Sequence, residues 1–480
     1  MTSGLNRRAF LRGAGVAAGA VIGAGALASC AGGGAGPGTQ GGGEGGEGVQ
    51  YNFDDAANPF GLAEEGAGEV VIPDQGWGTK WMEDTIAAFK TNHGGIEIEM
   101  SAHKDMNVTI QPRFIQNDPP DLIMPAGIKV PVLAEQNQVF DLTEFYKAPA
   151  FDGGGTVTDS LLPGTMEAAN LLSDGRLMIA PTTFTSYGLW YSSAVFEENG
   201  WEYPKTWDAM IALCEEIKGT GIAPWTYTGK YPGYIFTPMS VMAAKADGIE
   251  SILAIDNLEP NAWRAPGMVA AAEAIEELRS KGYFLPGSEG LSHTESQTLW
   301  AQGKAAFIPV GSWLENESAD SIKPESKIKM QSTPSLSSSD KLPFEALAAY
   351  PGNSVFVPEQ AKNVQFGLEF LRFMWGKEAS AIWTTNTKSL TSLRGYYDEL
   401  TDVPSGLQSV LDSIEAAGED ILPPRKYSSY YSDFSKLVTD KTGLLASGTI
   451  KAKEYIDTIQ AEADKVAADP NIKKYTRTLD

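Results

Sequence analysis

From Glu69 onward, short apolar runs of strand length alternate with longer stretches whose apolar residues recur every three or four positions, and this alternation restricts the fold more than any other feature. Glu69-Val-Val-Ile-Pro73 reads as a buried strand, after which Thr79 is expected to cap a helix with Met82, Ile86 and Phe89 on one face. Glu97-Ile-Glu-Met-Ser101, Asp121-Leu-Ile-Met124, Leu177-Met-Ile-Ala180, Ala305-Ala-Phe-Ile-Pro-Val310 and Ser354-Val-Phe-Val357 read as further strands. Val364, Leu368, Leu371 and Met374 form a second helical stripe, and Ile456, Ile459, Ala463 and Val466 a third. Strand and helix in alternation imply α/β layers, not an all-helical or sandwich fold. At 480 residues, 42% of them apolar, the chain is too long for one core and suits two or three domains.

Ahead of this body stands a segment with the composition of an address. Asn6-Arg7-Arg8-Ala9-Phe10-Leu11-Arg12 is a basic start, followed by an uncharged Gly/Ala run from Ala14 to Ala28 that ends at Leu27-Ala28-Ser29-Cys30. Fifteen residues span about 22 Å as a helix, short of the roughly 30 Å hydrocarbon core, so a permanent membrane span is disfavoured. The paired arginines resemble a twin-arginine export signal over residues 1–29, and Leu-Ala-Ser-Cys resembles a bacterial lipobox that would make Cys30 the lipidated N-terminus. An ordinary cleaved secretory signal is the alternative. The glycine-dominated stretch that follows, within 30–66, cannot bury a core and reads as a flexible tether. Extracytoplasmic attachment to the outer face of the cell membrane is therefore expected.

The charge balance excludes several functions. With 37 Lys plus Arg against 61 Asp plus Glu, net −24, no uniform basic surface exists for nucleic acid or anionic lipid. Only two cysteines occur, Cys30 and Cys214. Cys214 shares a helical face with Met210, Leu213 and Ile217 and reads as a buried thiol. His93, His103 and His293 lie far apart with no partner at metal-ligand spacing, so neither metal nor cofactor is expected. No Gly-x-Ser-x-Gly elbow, phosphate-binding loop or Cys-His pair is present. Glu315 and Glu317, beside Trp313, are the pair to consider for glycoside hydrolysis; Glu near a helix start is also favoured for local reasons alone.

Aromatic residues are placed at turns: Trp77 after the first strand, Trp225, Tyr227 and Tyr231 in Trp225-Thr-Tyr-Thr-Gly-Lys-Tyr-Pro232, Trp313 after a strand, and Tyr430-Tyr431. A saccharide offers C–H faces that stack on rings and a rim of hydroxyls that demands hydrogen bonds, so displayed aromatics beside acids and amides suit a sugar site. Each ring alone could equally pack against its own lobe.

Tyr187-Gly-Leu-Trp-Tyr-Ser192, Gly221-Ile-Ala-Pro-Trp-Thr-Tyr-Thr-Gly-Lys-Tyr-Pro232, Ala254-Ile-Asp-Asn-Leu-Glu-Pro-Asn-Ala-Trp263 and Gly311-Ser-Trp-Leu-Glu-Asn-Glu317 carry a resemblance to the family 1 extracellular solute-binding proteins of carbohydrate ABC importers, over Glu69 to Asp480. The likeness is strongest to N-acetylglucosamine- and diacetylchitobiose-binding lipoproteins of actinobacteria. It implies a two-lobed, periplasmic-binding-protein-like α/β fold of type II with the ligand cleft between the lobes. The lobes would comprise 67–183 plus 346–400 and 184–345 plus 401–480, with crossings near Pro181 to Thr185, Ala346 and Thr401. It further implies a monomeric, non-enzymatic protein that captures N-acetylglucosamine or chitooligosaccharides by lobe closure and delivers them to an ABC permease. A malto- or xylo-oligosaccharide is the alternative ligand, and a secreted glycoside hydrolase the rival class.

Ligand-binding positions expected on this basis are Trp77, Asp121, Trp225, Tyr227, Tyr231, Trp313, Glu315 and Tyr430. Trp313 would be a stacking platform, and Tyr430 matches a C-terminal aromatic that is Trp in many relatives. Asp121, at the cleft-facing end of its strand, could touch ligand or cap a turn. The turn Asp74-Gln-Gly-Trp77 replaces a more glycine-rich segment, so Trp77 would lengthen the stacking surface or cap the cleft.

Overall fold

A computed structural model describes residues 49–172, 174–397, 400 and 403–478. The export signal, Cys30 and most of the expected tether lie outside the described residues. Gly45–Asp480 forms one compact unit.

Three strands, β1 (Glu65–Pro73), β2 (Gly95–His103) and β3 (Leu122–Ile123), make a parallel sheet in the order β2-β1-β3. The helix Lys80–Asn92 crosses from β1 to β2 and buries Trp81, Met82 and Phe89. Thr79 precedes it, but its hydroxyl donates to Glu83 Oε1 (2.7 Å) instead of accepting from the helix N–H groups. Its main chain is already helical (φ −110°, ψ −16°), whereas a side-chain cap needs an extended residue. The helix Val364–Met374 covers the same core with Phe366, Phe370 and Phe373.

Seven strands form the other sheet. Named in chain order, they are β4 (Ala180–Ser192), β5 (Ala223–Trp225), β6 (Ala305–Gly311), β7 (Ile328–Gln331), β8 (Leu347–Val355), β9 (Leu390–Thr391) and β10 (Ile421–Leu422). The main order is β10-β8-β4-β6-β5, with β7 and β9 also pairing with β4. Thirteen residues long, β4 runs antiparallel to β8 in a register from Ala180↔Val355 to Tyr187↔Ala348. Its first residue belongs to the core around Phe60, Trp81 and Phe366, while Leu189 and Tyr191 belong to the core around Trp225, Trp263 and Phe307. One strand thus contributes to separate hydrophobic cores along its length.

The second core is enclosed by the helices Trp207–Gly219, Gly233–Asp247, Pro266–Ser280, Ser432–Ser447 and Ala452–Ala468. Cys214 is fully buried there with Met210, Leu213 and Ile217, and burial pushes its thiol up to about 12. Ile456, Ile459, Ala463 and Val466 face the same core.

The boundaries that differ most from the sequence reading lie around β4 and β8. Leu177 to Ile179 is not strand, and β8 begins at Leu347 instead of at Ser354. The expected tether also ends early. Tyr51, Phe53, Phe60 and Leu62 pack on the first core, with Phe60 stacked on Phe145 at 5.5 Å, because four large apolar side chains within twelve residues gain more from burial than a leash gains from freedom.

Candidate functional site

An aromatic-lined cavity of about 520 Å³ opens over β4, β6 and β8. Its lining includes Tyr187, Tyr231, Tyr234, Trp313 and Tyr350 with Lys230, Thr237, Thr333 and Asp440. Trp313 is the centre of the aromatic group. Its ring meets Tyr187 edge-on at 5.5 Å and Tyr234 edge-on at 6.2 Å, arrangements that suit ring quadrupoles. Gly311 makes this possible: a Cβ there would stand 2.1 Å from Trp313 Cζ3, so the indole lies over a main chain that only glycine leaves bare.

Strand register supplies the next ring. Tyr187 pairs with Ala348 across β4–β8, which brings Tyr350 onto the Tyr187 ring at 5.1 Å, stacked at 25°. The third wall is the start of the helix Gly233–Asp247, where Tyr231 and Tyr234 are three residues apart. Tyr231 is 54% exposed and leans edge-on against His293 at 5.9 Å. Pro238, inside this helix and in the lining, has no N–H, which leaves the Tyr234 carbonyl without its i+4 donor.

Burial keeps two of the lining phenols neutral. Burial, then the adjacent Tyr350 hydroxyl, holds the Tyr187 phenol far above its ordinary range. Burial pushes Tyr234 up to about 12, with Glu317 and Tyr231 adding to it. Both stay protonated near neutral pH and can donate or accept. The lining charges are paired with neighbours, Lys230 lying 3.6 Å from Glu295 and Asp440 accepting from Lys436 at 2.6 Å. Among the described residues Asp440 is the one carboxylate in the lining. Flat rings and scattered hydroxyls suit an uncharged polyhydroxylated ligand.

The expected site residues separate into distinct environments. Trp313 and Tyr231 line the cavity. Trp225 and Tyr227 do not: Trp225 is in β5, its position paired with Phe307 and its ring 6.4 Å from Trp207, while Tyr227 packs 4.7 Å from Phe284. Both are buried because the chain there is strand and core, where a turn was expected.

Asp121 is 5% exposed and bonds main chain with both oxygens, accepting from the Glu69 N–H at 2.9 Å and the Asn363 N–H at 2.8 Å. Burial raises its pKa against those two bonds. It ties β1 to the start of the helix Val364–Met374, which is the capping role. Glu315 does the same for the helix Ser405–Ala417, accepting from the N–H groups of Gly406 at 3.0 Å and Leu407 at 2.8 Å. Its partner in the proposed acid pair, Glu317, accepts from Gln297 Nε2 at 3.1 Å.

Trp77 is half-buried, its ring 5.5 Å from Trp383 in the first half. The neighbouring Gly76 approaches the other half closely enough that a Cβ would lie 2.9 Å from Glu317 Oε1. Tyr430 stacks on Tyr475 at 4.4 Å and 10°, outside the cavity lining. Tyr187, Tyr234 and Tyr350 were not singled out from sequence. Tyr234 follows Tyr231 at helical spacing, a usable signal; the Tyr187–Tyr350 stack depends on a pairing between residues more than 160 positions apart.

A family model described as bacterial extracellular solute-binding protein matches residues 75–381. The diacetylchitobiose binding protein NgcE of Streptomyces coelicolor is 30% identical over 423 residues, covering 87% of this chain and 89% of that one. A solved structure from work on xylan utilization by the thermophilic bacterium Caldanaerobius polysaccharolyticus superposes with a TM-score of 0.67 at 18% identity, covering 82% of this chain and 99% of that one. A structure described as a chitin oligosaccharide binding protein gives a TM-score of 0.60 at 17% identity, with 80% and 94% covered.

Proposed function

Because the chain belongs to the bacterial extracellular solute-binding proteins, we propose that it is the lipid-anchored capture component of a carbohydrate ABC importer, taking N-acetylglucosamine or short chitooligosaccharides and passing them to a membrane permease. Its fold is the two-lobed α/β fold of type II. We assign the lobes to 67–183 plus 346–400 and 184–345 plus 401–480, a division supported by the separate cores that β4 joins. The observation that carries the reading is the neutral aromatic cavity around Trp313. The chitin-type ligand is favoured by the likeness to the diacetylchitobiose binding protein over 87% of the chain. A ring stacked on the Trp313 indole gains dispersion and C–H contact, Tyr187 and Tyr234 offer phenol hydrogen bonds, and Thr237 and Thr333 reach ring hydroxyls.

Glu315 is committed to a helix end, which supports capture without turnover as the expected behaviour. Among the described residues no helix is long and apolar enough to cross a membrane, and under this reading the anchor is a lipid on Cys30.

The test is calorimetry of the full chain against N-acetylglucosamine, diacetylchitobiose, maltose and xylobiose, with hydrolysis assayed on the same samples. Binding of diacetylchitobiose without cleavage is expected. Trp313→Ala should weaken it by about 2 kcal/mol, roughly 30-fold, the cost of truncating a central aromatic anchor. Binding of maltose or xylobiose alone would overturn the chitin assignment, and cleavage would overturn the non-enzymatic one.

A further inference from the structure

The segment after the helix Ala452–Ala468 returns across the molecule and carries a buried cation. Arg477 is only 5% exposed. On one side its Nη1 donates to Asp256 Oδ2 at 2.5 Å and to the Pro424 carbonyl at 2.6 Å. Its main chain is clamped by Asn257, whose Oδ1 accepts from the Arg477 N–H at 2.7 Å and whose Nδ2 donates to the Arg477 carbonyl at 3.0 Å. Asp256 is fully buried and also accepts from the Tyr427 N–H at 2.8 Å. All of these partners adjoin the second core, which contains Ile255 and Tyr427.

The other limb reaches the first half. Arg477 Nε donates to Glu167 Oε1 at 2.7 Å. Glu167 is on the short helix Thr165–Ala169, whose Ala169 is buried in the core of Phe60, Trp81 and Phe366. Lys426 Nζ adds a bond to the Glu167 carbonyl at 3.0 Å. Two residues before Arg477, Tyr475 stacks on Tyr430, which holds the tail to the second half. The halves also approach each other where Gly76 comes close to Glu317.

We propose that Arg477 is a positioning residue for ligand capture: through Glu167 it ties the two halves together, favouring the closed arrangement by a contact that touches no ligand. The proposal rests on the solute-binding reading above. The Asp256 limb stays within one half and survives any relative rotation. The Glu167 limb spans both, so it is lost when the halves separate and regained when they close. An ion pair present in only one of two states shifts the population toward that state, and apparent affinity follows the fraction competent to bind.

Glu167→Gln in the full chain is the test, since it removes the spanning charge and leaves Arg477 with Asp256; Arg477→Met would instead strand a buried Asp256 and destabilise the fold. Ligand-free Glu167→Gln is expected to show a larger radius of gyration by X-ray scattering than the parent, with an unchanged unfolding midpoint. Its dissociation constant for diacetylchitobiose should rise about 3- to 10-fold. Identical scattering together with an affinity within twofold of the parent would overturn the proposal. The scattering comparison needs no ligand, so the strap can fail or stand separately from the sugar assignment.

Discussion

Lys245 shows how much a single buried group sets the shape of the site. It is fully buried at the end of the helix Gly233–Asp247, and its Nζ donates to Ser332 Oγ at 3.0 Å, the Thr333 carbonyl at 2.5 Å and the Phe344 carbonyl at 2.5 Å, above the Phe344 ring. Thr333 lines the cavity, so this ammonium fixes part of the wall. Burial pushes its pKa down to about 7, opposed by the charges of Glu345 and Asp340. Between about 7 and the ordinary lysine range the unfolded chain holds a proton that the folded one has lost, so stability rises with pH in that window. Relative to Lys245→Met, the parent should gain up to about 1.4 kcal/mol per pH unit above 7 and run parallel below it. Urea unfolding of both at pH 6, 7.5 and 9 checks this, and a constant difference would mean that the group keeps its charge. At this scale the sequence was partly legible. Cys214 could be placed in a core from helical spacing alone, whereas Trp225 and Tyr227 looked displayed because a three-residue strand leaves almost no period to read.

At the scale of elements, the helix Ser405–Ala417 shows why a carboxylate beside a key tryptophan need not be a site residue. Its first turn has free N–H groups, and Glu315 satisfies two of them from ninety residues earlier in the chain. Gly406 has to stay bare for this, since a Cβ would lie 2.6 Å from the Glu315 carboxyl carbon. Glu315→Gln keeps one acceptor and loses the charge at the helix start, costing about 1 kcal/mol. Sugar affinity should be unchanged within twofold. A melting curve and a titration on the same sample decide it: an intact midpoint with lost binding would return Glu315 to the cavity. Strands β1, β2 and β6 and the three helical stripes were readable because each carries its own period over several residues. The partner of β4 was not, because β8 begins with Leu-Ala-Ala, a run too weakly β-forming to mark, and its pairing is decided by the whole sheet.

For the whole molecule, composition divides body from leash near the right place but not at it. Glycine dominates up to Gly48, yet within the next fourteen residues Phe60 and Leu62 are buried in the first core and Tyr51 and Phe53 pack against it. The Asn52 N–H donates to the Pro59 carbonyl at 2.8 Å, Asn58 closes a loop on Leu62 through both its amide atoms, and Phe60 is 1% exposed. A chain beginning at Gly48 should therefore melt with the full-length protein. One beginning at Ala63 uncovers Phe145 and loses the burial of Phe60, worth about 3–5 kcal/mol by the usual cost of deleting a core phenylalanine. None of the removed residues lines the cavity, so sugar binding per folded molecule should survive in both. Equal midpoints for the two chains would put the segment back in the tether. A lower midpoint for the shorter one, with binding retained, would mean that the anchor's reach is set by the glycines alone and that the first lobe starts at the aromatic cluster ahead of β1.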